Sequence, residues 1–275
     1  MGMRGILFGL ALALMGIPAW AAGLLLGVNE GTSSSLDAMF RQEKYLPLAA
    51  YLGAAANRPV KTETSNILPI LVRNLGKTKY DILLVRPSHI SARAMRDNGY
   101  RLLVAAKGES KLHFLVRGDS PLKNLADIHG KLIAFPDTLA YPTQLARAAM
   151  RDAGLDPDQE HIQAMDRQEA VGYAVREKMA DVGVVISYSK PGREWLNQGG
   201  RFLHTKDKLP FWSVIVSPRV SPATVDKLRE ALLAMDQTPR GQEILKGIGI
   251  QGFVEGDQQA YLDMLAWVEG KSTGK

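Results

Sequence analysis

The sequence of 275 residues contains no cysteine. That absence excludes a disulfide scaffold, a cysteine-ligated zinc site, an iron–sulfur cluster and a thiol nucleophile. Long runs of one charge are missing too: 34 basic residues stand against 28 acidic ones, a net +6. The basic groupings Lys77-Thr-Lys79 and Lys206-Asp-Lys208 are short and diluted. A nucleic-acid binder clusters its positive charge on one face or helix, so these charges read as a solvated surface and no nucleic-acid partner is expected. The five histidines, at 89, 113, 129, 161 and 204, share no helix at metal-ligand spacing. Neither a G-x-S-x-G elbow nor a Walker loop occurs. No metal, cofactor or catalytic residue is expected.

What is present is an ordinary globular composition, 46% hydrophobic and 23% charged. The length suggests about two domains, each able to bury a core.

The first residues read as a secretory leader. Arg4 supplies the positive start, an apolar run extends from Ile6 to Ile17, Pro18 breaks it, and Ala19-Trp20-Ala21 forms a cleavage signal. An uncleaved anchor is the alternative, because apolar residues continue through Leu24, Leu25 and Leu26. Cleavage after a leader of residues 1–21 would place the remaining chain in the periplasm.

Strand-like and helix-like segments then alternate. Leu24 to Val28 reads as a buried strand closed by Asn29-Glu-Gly-Thr-Ser-Ser-Ser35. A helix carrying Leu36, Met39 and Phe40 follows, and Pro47 suits the first turn of a second helix. Strands near 60–64, 80–85 and 101–106 alternate with helices near 67–75 and 91–97. The pattern restarts after Lys107-Gly-Glu-Ser110, with strands at 111–117, 131–135, 162–164 and 182–186 and helices at 142–153 and 168–178. Extended segments at 202–205 and 212–217 precede three helices, the last carrying Leu262, Leu265 and Ala266 inward. Such alternation implies an α/β fold of mostly parallel sheets flanked by helices. One lobe, 22–108 with 206–275, would hold the other, 109–205, as an insertion, with two crossings forming a hinge. Gly247-Ile-Gly-Ile-Gln-Gly252 fits the dinucleotide pattern but follows a helix, so it reads as a helix cap and turn.

Five segments in order carry a resemblance. They are Tyr45 to Leu52 (YLPLAAYL) with Arg58-Pro-Val60, Tyr80 to Ala94 (YDILLVRPSHISARA), Ser120 to Asp137 (SPLKNLADIHGKLIAFPD), Pro210 to Val216 (PFWSVIV) and Gly247 to Val254 (GIGIQGFV). Together they resemble the phosphate/phosphite/phosphonate-type periplasmic solute-binding family of ABC transporters. The resemblance implies a type II periplasmic-binding-protein clamshell that delivers a small anion to a membrane permease. Where members with a phosphonate ligand carry a Ser-Thr-Ser-like run, this chain reads Asp137-Thr-Leu-Ala-Tyr-Pro-Thr143. Val85 or Arg86 stands at the place of the family's pocket aromatic.

Ligand residues are expected at strand ends facing the crevice. Thr32, Ser33 and Ser34 offer hydroxyls and backbone N–H groups to an anion, or cap the following helix. Arg86 offers a bidentate fork for an oxyanion. His89 is a further contact or a structural helix-start residue. Thr138, Tyr141 and Thr143 surround a helix N-terminus, where partial positive charge attracts anions. Glu169 matches a family glutamate that meets a cationic or protonated ligand group, or serves its helix dipole. Ser187 and Tyr188 end a strand and are expected to line the pocket. The expected role is a monomeric binding protein feeding an ABC permease. The alternatives are a sensor signalling to a membrane histidine kinase, or a periplasmic lyase using Glu169 with His89.

Overall fold

The computed structural model of the chain describes residues 23–31, 38–65 and 67–271. The expected leader, its cleavage site and the hydroxyls of Thr32, Ser33 and Ser34 lie outside the described residues.

Strands β1 (Leu24–Asn29), β2 (Val60–Thr64), β3 (Ile82–Val85) and β4 (Arg101–Ala106) alternate with helices α1 (Ala38–Ala56), α2 (Leu68–Gly76) and α3 (Ser88–Asp97). β1 pairs in parallel with β2 and β3, Leu26 lying opposite Thr62 and Ile82. β3 reads Ile-Leu-Leu-Val and is buried throughout, as a central strand covered on both faces requires.

The chain leaves this sheet after Ala106, at the end where β1 and β3 also finish. It then builds a second sheet from β5 (Ser110–Arg117), β6 (Leu132–Phe135), β7 (His161–Ala164), β8 (Val182–Ile186) and β9 (Gly200–Leu209), in the order β7-β6-β8-β5-β9. Helices α4 (Tyr141–Asp152), α5 (Gln168–Arg176) and α6 (Lys190–Glu194) connect them. β9 brings the chain back, and β10 (Ser213–Val216) enters the first sheet between β3 and β4. Because it enters from the end at which the chain left, it runs antiparallel to both neighbours. Helices α7 (Pro222–Leu233) and α8 (Pro239–Ile248), strand β11 (Phe253–Val254) and helix α9 (Gln258–Val268) follow. The first sheet is therefore ordered β11-β4-β10-β3-β1-β2.

The α/β two-sheet architecture agrees with the sequence reading, with four local corrections. Each sheet is mixed, since the strands flanking the crossings (β5, β9 and β10) pair antiparallel. Pro47 lies inside a single helix α1 and does not start a new one. Tyr45, Leu48, Ala49, Leu52 and Ala56 all bury one face of α1 against the first sheet, and that packing outweighs the proline's missing N–H. The inward stripe of α9 is Tyr261, Met264, Leu265 and Val268, with Leu262 and Ala266 only half-buried. β9 stays paired with β5 as far as Leu209, beyond the boundary expected at 205. The 247–252 glycine run behaves as a cap and turn: Gly249 closes α8 at φ 73°. No helix of the described residues is long and apolar enough to cross a membrane.

Candidate functional site

The C-terminal ends of β1 and β3 face those of β6 and β8, and the loops leaving them meet in a small cleft. Glu30 follows β1 and is 1% exposed. Burying a carboxylate is unfavourable without partners, and three are present. Lys44 Nζ on α1 donates to Glu30 Oε1 at 2.7 Å, Tyr45 Oη donates to the same atom at 2.7 Å, and Arg86 Nη2 lies 3.2 Å from it. Burial first, and Glu30 second, push the Tyr45 phenol far above its ordinary range, so it stays a donor. Asn29 turns the loop: its side-chain oxygen accepts from the N–H of Gly31 at 2.9 Å, an Asx turn. Gly31 holds φ 60°, a left-handed conformation that glycine adopts freely.

Arg86 extends β3 by one further backbone bond, its N–H donating to Asn29 O at 3.0 Å. The guanidinium carbon stands 3.9 Å from the centroid of the Trp212 ring, in the returning crossing. Tyr188, at the end of β8, meets Phe211 and Trp212 edge-on, with centroids 5.6 and 5.4 Å away. Its phenol is pushed up to about 12 by burial and so stays neutral. From the start of α4, Tyr141 donates to Pro210 O at 3.2 Å and stacks on His89 at 5.6 Å. Gln168, at the start of α5, is 1% exposed and accepts the Ile186 N–H at 2.8 Å. Glu30, Arg86, Tyr141, Gln168 and Tyr188 thus line a narrow cleft of about 10 Å³, room for about one water molecule, with residues of both sheets on its walls. Among the described residues the charged groups lining it are Glu30 and Arg86, with Lys44 reaching Glu30 from α1, and Tyr141, Gln168 and Tyr188 are its neutral polar side chains.

Of the expected residues, the structure brings Arg86, Tyr141 and Tyr188 to this cleft. His89 lies behind Tyr141, buried, with its imidazole pushed down to about 3 by burial and then by the charge of Arg93. Thr138 is exposed and its carbonyl accepts from Gln144. The Thr143 hydroxyl donates to the carbonyls of Pro136 and Asp137, at 3.1 and 2.9 Å, and so caps its own turn. Ser187 Oγ accepts the Lys111 N–H at 3.1 Å, fastening β8 to β5. Glu169 points to another groove, beside Tyr173, Lys190 and Glu194. Its neighbour Gln168 enters the cleft instead.

A sequence profile described as "ABC transporter, phosphonate, periplasmic substrate-binding protein" matches residues 31–261. The chain belongs to that family. Its members are periplasmic binding components of ABC transporters, which take a small-molecule ligand and work with a membrane permease. None of the curated proteins compared with the chain matches it in sequence. Solved structures match it in fold. XAC2383 from Xanthomonas citri, bound to ATP, superposes with a TM-score of 0.77 at 16% identity, over 91% of this chain and 98% of that one. PhnD1 from Prochlorococcus marinus, in complex with methylphosphonate, gives 0.72 at 11% identity over 90% and 97%. A binding protein component of an ABC phosphonate transporter from Pseudomonas aeruginosa gives 0.68 at 13% over 90% and 85%.

Sequence reasoning missed Glu30, Lys44, Gln168 and Trp212 in this family member. Glu30 carried one usable signal, an acid directly after an apolar strand and before a glycine. Trp212 stood inside a segment already recognised for its fold, where an aromatic reads as core. Nothing local distinguishes Gln168 from Glu169; only the helix's rotation on the sheet decides which faces inward.

Proposed function

We propose that this binding protein captures a small oxyanion of the phosphonate, phosphite or phosphate class in the cleft between its two sheets. Arg86 carries the proposal: a guanidinium at a strand's C-terminal end, 13% exposed, in a cleft walled by both sheets. Its planar fork matches a tetrahedral oxyanion and forms charge-assisted hydrogen bonds. Tyr141, Tyr188 and Gln168 supply neutral polar contacts from the second sheet; Thr32, Ser33 and Ser34, outside the described residues, are the further hydroxyl candidates by sequence. The methylphosphonate bound by the Prochlorococcus protein makes a one-carbon phosphonate the first probe.

In this reading residues 22–108 with 210–275 form one lobe and 109–209 the other, the boundary expected at 205 moving to the end of β9, and the crossings flex to close them on the ligand. The protein acts as a monomer, without catalysis, after cleavage of a leader of residues 1–21, and presents its closed form to the permease. Thermal unfolding with methylphosphonate, phosphite, phosphate, ethanesulfonate and ATP at millimolar concentration tests the ligand class. A ligand that binds only the folded state raises the melting temperature by mass action. The small phosphorus oxyanions are expected to raise it by several degrees. No shift with any of them would end the proposal.

A further inference from the structure

Helix α9 is the last element of the described residues and begins on the first sheet. The side chain of Gln258 accepts the Leu102 N–H of β4 at 2.9 Å, and Tyr261 Oη donates to Phe211 O at 2.8 Å. At its other end Glu269 pairs with Arg96 on α3, with contacts of 2.6 and 3.2 Å. By sequence and by these contacts α9 belongs with the first sheet.

Its outer face nevertheless meets the second. Arg151, in the last turn of α4, donates from Nη2 to Val268 O at 2.7 Å and to Trp267 O at 3.3 Å. These carbonyls end α9, where that of Trp267 also accepts the Gly270 N–H at 3.1 Å, and a cation is favourable at that pole. Next to Arg151, Asp152 accepts the Trp267 indole N–H at 2.8 Å. Lys206 of β9 holds its ammonium 5.3 Å from the Trp267 ring centroid. Below these polar contacts, Met264, Leu265 and Val268 share one apolar cluster with Leu145, Ala149 and Met150 of α4 and with Ile90 and Met95 of α3. The two sheets are therefore joined by a third connection besides the crossings, made of side chains.

We infer that the contact of Arg151 and Asp152 with the end of α9 sets the angle between the lobes, and so makes Arg151 and Trp267 positioning residues for ligand binding. The inference rests on the reading that the lobes close on a ligand. A contact satisfied only when α4 lies against α9 favours the lobe arrangement that makes it, and shifts the population of that arrangement. A ligand trapped between closed lobes leaves through the open form. The cleft of this structure has only about 10 Å³ of free space, so the arrangement favoured by the contact is the one with the lobes together. Weakening it therefore opens the unliganded protein and speeds release, although neither residue lines the cleft.

The absence of native cysteine allows a clean test. Lys77→Cys and Lys131→Cys place one spin label on an exposed site of each lobe. Distances between the labels are measured in this background and with Arg151→Ala, Trp267→Phe or Arg96→Ala added. Trp267→Phe keeps an aromatic ring while losing the indole N–H and part of the ring, so it guards against loss of the fold better than alanine. Arg96→Ala removes one ion pair between α9 and α3, leaves the Arg93–Glu269 pair and the apolar packing in place, and spares the contact with α4. The expected result is a longer or broader distance distribution without ligand for Arg151→Ala and Trp267→Phe, and an unchanged one for Arg96→Ala. Methylphosphonate affinity should fall about tenfold in the first two, mainly through faster release. Unchanged distances in Arg151→Ala and Trp267→Phe, or an equal change in Arg96→Ala, would overturn the inference. If the parent protein binds none of the small oxyanions, the functional reading fails, while the ligand-free distances still decide the role of α9.

Discussion

The guanidinium carbon of Arg86 stands over the Trp212 ring, 3.9 Å from its centroid, while the same guanidinium reaches Glu30. One side chain is thus held by an aromatic face from the returning crossing and by a buried acid from the first strand. A desolvated cation–π contact is worth about 1–2 kcal/mol, close to a tenfold change in an equilibrium constant. Trp212→Leu keeps an apolar filler and removes the π face. It should weaken oxyanion binding about tenfold in calorimetric titration, because Arg86 is no longer held in place.

Glu30 is the acid on which Lys44, Tyr45 and Arg86 converge. Removing one partner of a buried ion pair leaves the others without compensation, a loss of about 3–5 kcal/mol. Glu30→Ala is expected to lower unfolding free energy by about 3 kcal/mol, read as a lower urea midpoint with an unchanged slope. Glu30→Gln, which keeps an acceptor for Tyr45, should lose less.

The pH dependence of stability follows from His89. Burial holds its imidazole at about 3, so in the fold it remains neutral, whereas an unfolded histidine titrates near 6.5. As the pH falls below about 6.5 the unfolded chain takes up a proton that the folded one refuses. Stability is therefore full above that pH and is lost progressively towards 3. His113, held at about 4 chiefly by burial, adds to the loss in the same window. His89→Phe keeps a ring against Tyr141 and cannot titrate. Denaturation between pH 7.5 and 4.5 should show its slope reduced by about 1.4 kcal/mol per pH unit at the acid end. An unchanged slope would mean that His89 takes up its proton in the fold.

Two glycines give opposite expectations. A Cβ on Gly192 would stand 2.3 Å from the carbonyl oxygen of Ile186 and 3.0 Å from the Ser187 backbone, which cannot swing aside. Gly192→Ala should destabilise by about 1–3 kcal/mol and disturb Tyr188 just beyond. Gly247 lies within α8 with nothing near a new Cβ. Gly247→Ala should stabilise by about 0.5–1 kcal/mol. Thermal melts of both variants check the pair.

The fold was legible in the sequence where local pattern and packing agree. Residues 80–85 and 182–186 read as strands, and Ile82–Val85 and Val182–Ile186 are strands, buried throughout. Pro47 shows the limit, since the buried stripe from Tyr45 to Ala56 decides what local proline chemistry would not. The two-residue strand β11 exists only because Phe253 and Val254 meet Ala106 and Ala105, a long-range pairing without a local signature. In the cleft, Arg86, Tyr141 and Tyr188 were legible because each ends a strand or starts a helix facing the crevice. Glu30 and Trp212 were not, because their roles come from partners far along the chain.

The most direct test is a calorimetric titration of methylphosphonate into the wild-type protein and into Arg86→Ala and Arg86→Lys. A hydrogen bond to a charged group contributes about 1.5–3 kcal/mol, so losing the Arg86 fork should weaken binding roughly ten- to a hundredfold. Lysine should restore only part of the loss, because a point charge cannot form two parallel hydrogen bonds. Wild-type affinity in Arg86→Ala would contradict the assignment of the anion to this cleft.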